Sequence, residues 1–507
     1  MEASMRVYDV SEATPLLGSH LSPSAQRPST QSSSSPIGLP SIAPTAAQLL
    51  SLDLRQVPVG NLCPHPLDYR SLEWAFILTL LLHIRHQRLQ QSVITPTDYP
   101  RLQRAASAAQ EVAILDSKIQ EAWSISLDEL GSIHDIQAVI WSQFPLDERN
   151  STVRLNVMFY LCQENAPIDL VLHPLVETSI LRTWRTGEKG SPARPGLKRI
   201  YDGACTPRVC HFLDLISQLA LAGILVHYII LPPVEADHIA SGKSIRAALL
   251  LLISFSWILR PWSLSAIPSF LTFFSFLTTL PYTLTPANTA FQVLPCTLVL
   301  HILQLHYPSP PSHLFLFSPR TILPLTTLLW QGVSMAVLPV ITFFLPALLI
   351  ALALVSASLV GTLSTISDHL HDFISIPPSP VYVRYTFFAL LVFLVILMIS
   401  TLVLLLLSSA LWFPRSASPW DKYSLPIGIR SRVRFYSTVR VYSHLYYFPP
   451  PLNLLYTLFI VPISFPFFLC GSVFPYSLTD TKWFWRLTAG PVIGVVALLA
   501  RTFSPEP

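Results

Sequence analysis

Two acidic residues four positions apart stand in a polar segment, residues 364–380, that separates two long apolar stretches. The segment reads STISDHLHDFISIPPSP, and its acids are Asp368 and Asp372. If the segment is helical, both carboxylates lie on one face, because residues i and i+4 are neighbours on a helix. Such a pair at a membrane surface would concentrate cations. The alternative, which the sequence alone favours, is a solvated loop with two ordinary surface acids.

The composition is that of a membrane protein. Of 507 residues 51% are hydrophobic and only 12% are charged, and the mean hydropathy is +0.51. A soluble globular domain carries about 25% charged residues. The formal net charge is only +4, and the basic residues flank apolar runs. We therefore expect anionic lipid headgroups as partners, and no nucleic acid.

The apolar runs predict six transmembrane spans. We place them at residues 212–231, 245–259, 267–280, 291–305, 333–358 and 385–411. Residues 321–332 form an interfacial helix that leads into the fifth span. The apolar runs 452–473 and 487–500 are either two more spans or helices lying on the membrane, and their prolines favour the second interpretation.

Basic residues set the orientation of these spans. Arginines and lysines are concentrated at residues 182–208, before the first span, and at residues 415–440, after the sixth. The positive-inside rule places both flanks in the cytosol. Both termini are then cytosolic, and residues 364–380 lie on the opposite side of the membrane.

The predicted fold class is all-α, a polytopic membrane protein with a helical cytosolic domain before its spans. Residues 1–44 are a Ser- and Pro-rich tail predicted to be disordered. Residues 45–208 form the helical linker domain, 209–415 the six-span domain, and 416–507 a basic and apolar membrane-associated region.

The N-terminal tail contains a candidate sorting motif. Glu12, Leu16 and Leu17 have the acidic-dileucine form, an acid followed by three residues and two leucines. Adaptor complexes read this form when they route membrane proteins to endosomes and to the vacuole or lysosome. The motif predicts an endomembrane location and, if it is used, a cytosolic tail.

Little in the sequence indicates catalysis. It contains no nucleophile elbow, P-loop or dinucleotide-binding motif, so we expect neither an enzyme nor a cofactor. Asp214 is the one acid within the spans, which argues against a proton-coupled transporter. His301 and His306 are either ligands or bases, or hydrogen-bonded structural histidines, and the sequence favours the latter. Cys205 and Cys210 are close, but with no second ligand pair nearby we expect reduced thiols.

Three segments carry a resemblance to a known family. They are HPLVETSILRTW (173–184), TPRVCHFLDLISQLALAGILVHYI (206–229) and YYFPPPLNLLYTLFIVP (446–462). The first two resemble the approach to the first span in transient receptor potential channels, especially the fungal vacuolar branch. The third is similar to the segment that follows the last span in that branch. In order of elements, the resemblance covers residues 60–475.

The resemblance implies a non-selective, calcium-permeable cation channel of the vacuole, assembled as a homotetramer with its pore between spans five and six. Asp368 and Asp372 would then be the luminal pore mouth, and residues 385–411 would line the gate. The alternative is a pore-less relative that serves as a membrane scaffold or regulatory subunit.

A basic belt precedes the first span. Lys198, Arg199 and Arg208 are candidate contacts for anionic lipids such as phosphoinositides. Setting the topology is an equally good explanation of their charge.

The cytosolic location of the linker domain makes the sequon Asn150-Ser151-Thr152 a test of topology. We expect it to be unglycosylated, because glycans are added only on the luminal side. Wild type and Asn150→Gln should migrate identically on a gel, with and without glycosidase treatment. A glycosidase-sensitive band present only in wild type would place this domain in the lumen.

Overall fold

The computed structural model describes fourteen stretches of the chain. They are residues 39–50, 57–64, 67, 69–92, 99–147, 153–187, 205–232, 243–260, 266–278, 289–359, 381–410, 418–443, 446–469 and 482–503. Within them helices predominate, as predicted, and one short antiparallel ladder pairs Phe144–Pro145 with Arg154–Leu155. The chain divides into two compact units: residues 162–172 with 305–439, and the remainder.

The first unit begins with short and long helices in the region predicted to be a linker domain. They are α1 (Ile42–Leu50), α2 (Arg70–Ser92), α3 (Tyr99–Glu129), α4 (Ile133–Trp141), α5 (Val157–Leu161) and α7 (Pro174–Thr186). Helix α6 (Ile168–Leu172), which lies between α5 and α7 in the sequence, belongs to the second unit. The apolar run of α2 between Ala75 and Ile84 is almost entirely buried. The prediction that this run is a core helix of the linker domain is consistent with that burial.

Helices α2 and α3 are held side by side by charge pairs at their edge. Arg85 Nε lies 2.6 Å from Asp116 Oδ1, and Arg88 Nε lies 2.9 Å from Glu111 Oε2. Pairs near the surface contribute about 0.2–1 kcal/mol each, and these two are partly exposed. Burial of α2 therefore supplies most of the stability, and the pairs fix the alignment of the two helices.

The same unit contains an apolar four-helix bundle. Its helices are α8 (Pro207–Ile230), α9 (Lys243–Ile258), α10 (Ile267–Leu277) and α11 (Thr289–His306). One core joins them, in which Leu225, Leu250, Phe276 and Leu294 are buried and Tyr228 packs edge-on against Phe276. Thr206 caps α8, and Pro207 occupies its first turn, where no N–H is needed.

Two C-terminal helices complete the first unit: α16 (Asn453–Leu469) and α17 (Lys482–Phe503). Helix α17 packs against α8 through Trp485, Ala489 and Ile493, all of which are fully buried, together with Val209. Both helices were predicted, and their position relative to the membrane stays a prediction.

The second unit is built around a pair of long apolar helices. After α12 (Pro319–Gly332), a π-helical turn (Val333–Val337) leads into α13 (Leu338–Leu359), which packs along α14 (Val381–Ala410). Helix α15 (Leu425–Tyr442) begins in this unit and ends in the first. In the most apolar 18-residue stretch of α14 no residue is buried, whereas 50% of the residues in the corresponding stretch of α8 are buried.

Four helices in the described ranges are long and apolar enough to cross a membrane: α8, α11, α13 and α14. They correspond to predicted spans one, four, five and six. The helices at spans two and three, α9 and α10, are shorter in the structure. The chain is thus a membrane-embedded protein.

The linker domain contains a buried histidine that makes its stability depend on pH. His83 Nδ1 lies 2.9 Å from Tyr160 Oη, and the Gln87 amide donates to its Nε2 over 3.0 Å. Burial, and to a lesser extent repulsion by His86, lowers the pKa of His83 from 6.5 to about 4. The imidazole is therefore neutral in the folded state.

Because the pKa is lower in the folded state, the unfolded chain binds more protons between pH 6.5 and pH 4, and stability falls as the pH falls through this range. We expect a loss of about 3 kcal/mol at the acid end. Thermal unfolding of the solubilised protein at pH 7 and pH 4.5 should show a larger drop for wild type than for His83→Gln. Equal drops would contradict this assignment.

Candidate functional site

Most residues singled out in the sequence lie outside the described part of the chain. These are Asp368, Asp372, Lys198, Arg199, Glu12, Leu16 and Leu17. Arg208 is described and lies half-buried in the first turn of α8. Its role as a lipid contact stays a prediction.

The first unit instead contains a buried ionic cluster that the sequence did not reveal. Asp214, in the second turn of α8, is fully buried. Its Oδ2 atom accepts hydrogen bonds from Arg260 Nη2 at 2.6 Å and from the hydroxyls of Tyr442 and Tyr447, both at 2.7 Å. Arg260 also contacts the Tyr447 hydroxyl. We call these four residues the Asp214 cluster.

Aromatic rings orient the arginine of the cluster. The Arg260 guanidinium lies 4.4 Å from the ring centroid of Trp257 and 5.4 Å from that of Tyr447. Such cation–π contacts add attraction and limit the rotamers of the long side chain. The Trp485 indole donates to the Tyr447 carbonyl oxygen over 2.7 Å, which fixes the backbone that carries the tyrosine.

The cluster joins four segments that are far apart in sequence. Tyr442 ends α15, and its ring meets the buried His211 ring edge-on, with centroids 5.3 Å apart. On the other side, His211 packs against Trp184 in α7 at 5.6 Å. The last helix of the linker domain, the first span, the end of α9 and the segment after α15 therefore meet at one point.

The electrostatics of the cluster keep Tyr442 protonated. Burial, followed by the negative charge of Asp214, raises the pKa of the Tyr442 phenol well above its ordinary value. Tyr442 therefore stays protonated and donates to the carboxylate. Asp214 Oδ1 has no hydrogen-bond partner among the described residues, whose donors all reach the other carboxylate oxygen.

A second polar group, which we call the His301 network, lies inside the four-helix bundle. The Gln218 amide nitrogen of α8 donates to His301 Nδ1 at 2.8 Å and to Gln304 Oε1 at 3.2 Å. His301 Nε2 lies 3.3 Å from the hydroxyl of Thr272, which donates to the Pro268 carbonyl. Both ring nitrogens of His301 thus have partners, which matches the structural role that the sequence favoured.

The His301 network leaves two amide atoms unmatched. In the part of the chain that the structure describes, Gln218 Oε1 and Gln304 Nε2 are buried without a hydrogen-bond partner. Rotating both amides by half a turn exchanges their oxygen and nitrogen but leaves one unmatched atom on each. Interhelical hydrogen bonds of this kind are worth about 0.6 kcal/mol on average in a membrane. The network therefore orients α8, α10 and α11 more than it stabilises them.

In the second unit, the basic residues of α15 are used for packing. Arg432 is only 3% exposed and binds both carboxylate oxygens of Asp421, at 2.7 and 3.0 Å. Gly428 lies against the Asp421 carboxylate, where any side chain would collide with it. In the sequence Arg432 is part of the positive flank after the sixth span, and the resemblance places residues 430–440 where gating elements meet the membrane. Neither prediction identifies Asp421 as its partner, because a lone arginine gives no sign of its partner.

The same helix is tied to α12. Arg430 Nη1 donates to Gln331 Oε1 over 3.2 Å, and the Ser431 hydroxyl donates to the Thr327 hydroxyl over 3.1 Å. Helix α12 continues through the π-helical turn into α13. Helix α15, which follows α14, is thus bonded to α12, the helix that leads into α13.

These arrangements position helices. Asp214 Oδ2 accepts three hydrogen bonds, and the Arg260 guanidinium compensates the charge of the carboxylate. No group of three or more metal-ligating side chains occurs in the part of the chain that the structure describes.

Comparisons with known proteins add no assignment. No protein-family model matches the chain, and no match was found among curated proteins.

The Asp214 cluster predicts a hierarchy of stability losses. Arg260→Ala leaves the buried Asp214 carboxylate without its positive partner and should lower the free energy of unfolding by about 3–5 kcal/mol. Tyr442→Phe removes one charged hydrogen bond and should cost about 1.5–3 kcal/mol. The double variant Asp214→Asn with Arg260→Gln should be more stable than Arg260→Ala, because no lone charge remains.

Thermal stability of the detergent-solubilised protein, followed by size-exclusion chromatography, measures this order. Arg246→Ala is the matched control, since Arg246 is a half-buried arginine near the start of α9 that donates to His227 and contacts no carboxylate of the cluster. A loss in Arg260→Ala no larger than in Arg246→Ala would refute the structural role of the cluster.

Proposed function

We propose that this chain is a subunit of a calcium-permeable, non-selective cation channel of the vacuole or another endomembrane. The pore would lie between α13 and α14, the fifth and sixth spans of a six-span topology. Helices α9 and α10 would then serve as spans two and three. The proposal rests on the family resemblance of residues 173–184, 206–229 and 446–462.

One structural observation supports it most: the paired helices α13 and α14 are almost entirely exposed outside their contact with each other. In the most apolar 18-residue stretch of each helix, only 11% of the residues of α13 and none of those of α14 are buried. A helix pair this uncovered is suited to face lipid on one side and other copies of the chain on the other. A fourfold assembly would place four such pairs around one axis.

The connection between α12 and α15 supports a way to open such a pore. Arg430 and Ser431 bind α12, which feeds α13, while α15 follows α14. A movement of α15 would therefore act on both pore helices together. The π-helical turn Val333–Val337 is a natural place for bending, since such turns interrupt the regular hydrogen-bond ladder.

The remaining features fit this role as proposals. Asp368 and Asp372 would form the luminal mouth that attracts cations, Lys198, Arg199 and Arg208 would meet phosphoinositide headgroups, and the tail motif at residues 12–17 would direct the protein to the endomembrane. Both termini would be cytosolic.

Patch-clamp recording from isolated vacuoles or reconstituted liposomes tests the proposal. With calcium on the luminal side, Asp368→Asn with Asp372→Asn should lower the single-channel calcium conductance about 3- to 10-fold at low ionic strength, and less at high salt. The matched control is Glu235→Gln with Asp237→Asn, because these acids lie in the predicted luminal loop between spans one and two.

Two results would contradict the proposal in different ways. Equal effects of the two double variants would remove Asp368 and Asp372 from the pore mouth. Electrical silence of folded, correctly inserted protein would exclude a channel and leave the pore-less scaffold or regulatory subunit as the function.

A further inference from the structure

Two thiols meet at the start of the first span. Cys205 directly precedes the N-cap residue Thr206, and Cys210 is the fourth residue of α8. Side chains at these two positions pack together in the hydrophobic staple that fixes how the chain enters a helix. Here both positions carry sulfur, and the two Sγ atoms are 3.6 Å apart.

The two thiols differ in access. Cys205 is half-buried, so a small oxidant can reach it, whereas Cys210 is fully buried behind it. Both are free cysteines in the structure. A disulfide bond is about 2.05 Å long, so the two sulfurs must approach by about 1.5 Å, which side-chain rotation and a small shift of the non-helical residue 205 can supply.

We propose that Cys205 and Cys210 form a redox modification site, at which a hydroperoxide converts the dithiol to a disulfide. The Cys205 sulfur attacks the peroxide O–O bond, becomes a sulfenic acid and releases water, or an alcohol if the peroxide is organic. The Cys210 sulfur then attacks the Cys205 sulfur and displaces a second water. Two thiols lose two protons and two electrons, and the peroxide is reduced.

The cytosolic location predicted for this end of α8 makes the disulfide transient. Cytosolic thiol–disulfide exchange returns such bonds to thiols, so those that form there are redox-sensing rather than structural. A reachable first thiol beside a buried second one is the arrangement of an attacking and a resolving cysteine.

The disulfide would act on the junction between the linker domain and the membrane helices. Gly187 ends α7 at a φ of 74°, and a Cβ added to it would lie 3.6 Å from the Cys205 carbonyl oxygen. Trp184 of α7 packs against His211, the residue after Cys210. A covalent staple would therefore fix the entry angle of the first span against the end of α7.

The sequence offers a direct assay. Arg208 lies between the two cysteines, so trypsin separates Cys205, in residues 200–208, from Cys210, in the peptide that begins at residue 209. Full-length protein in membranes is treated with hydrogen peroxide, denatured in the presence of N-ethylmaleimide so that every remaining thiol is blocked, digested without reduction and analysed by mass spectrometry.

We expect the two peptides to become joined, with loss of both alkylated forms, and dithiothreitol to restore them. Cys162, which is also half-buried, is the internal reference and should remain alkylated. In Cys210→Ser, dimedone should trap Cys205 as its sulfenic acid, whereas in Cys205→Ser the buried Cys210 should stay a thiol.

The experiment on the wild-type protein does not depend on whether any variant folds. Separate alkylation of both peptides, under peroxide that fully oxidises added glutathione, would overturn the proposal. So would a Cys205 peptide joined to any cysteine other than Cys210.

Discussion

The ion pair between Asp214 and Arg260 is the interaction on which the first unit depends. A carboxylate without solvent access inside an apolar helix must be compensated, since an isolated buried charge is prohibitively costly. Arg260 and the hydroxyls of Tyr442 and Tyr447 provide that compensation at 2.6–2.7 Å. Their positions in turn bring the end of α9 and the segment after α15 to the first span.

Polar contacts have this organising effect because lipid changes the energetics of packing. In a bilayer, apolar side chains gain little by leaving lipid for one another, so polar groups and close fit select which helices associate. Helix α8 carries both Asp214 and Gln218 on one face and is the most covered of the four long apolar helices. Helices α13 and α14 pair with each other and expose the rest of their surfaces.

The junction before α8 combines several of these constraints in a few residues. Thr206 caps the helix, Cys205 and Cys210 close its first turn, and His211 packs between Trp184 and Tyr442. These contacts together hold the end of α7 against the start of α8. In the second unit, the bonds from Arg430 and Ser431 join α15, which follows α14, to α12, which leads into α13.

The sequence by itself determined that this is a helical membrane protein, that long apolar helices lie near residues 212–231 and 385–411, and that the apolar part of α2 is too short to be a span. The structure extends the two long helices to Pro207–Ile230 and Val381–Ala410. Hydrophobicity and length are local properties, and they can be counted along the chain. Tertiary structure alone decided the partners of Asp214, His301 and Arg432. Tyr442 is 228 residues from Asp214, and no local pattern encodes such a pairing, because it arises only when the folded backbone brings the donors to a carboxylate that water cannot reach.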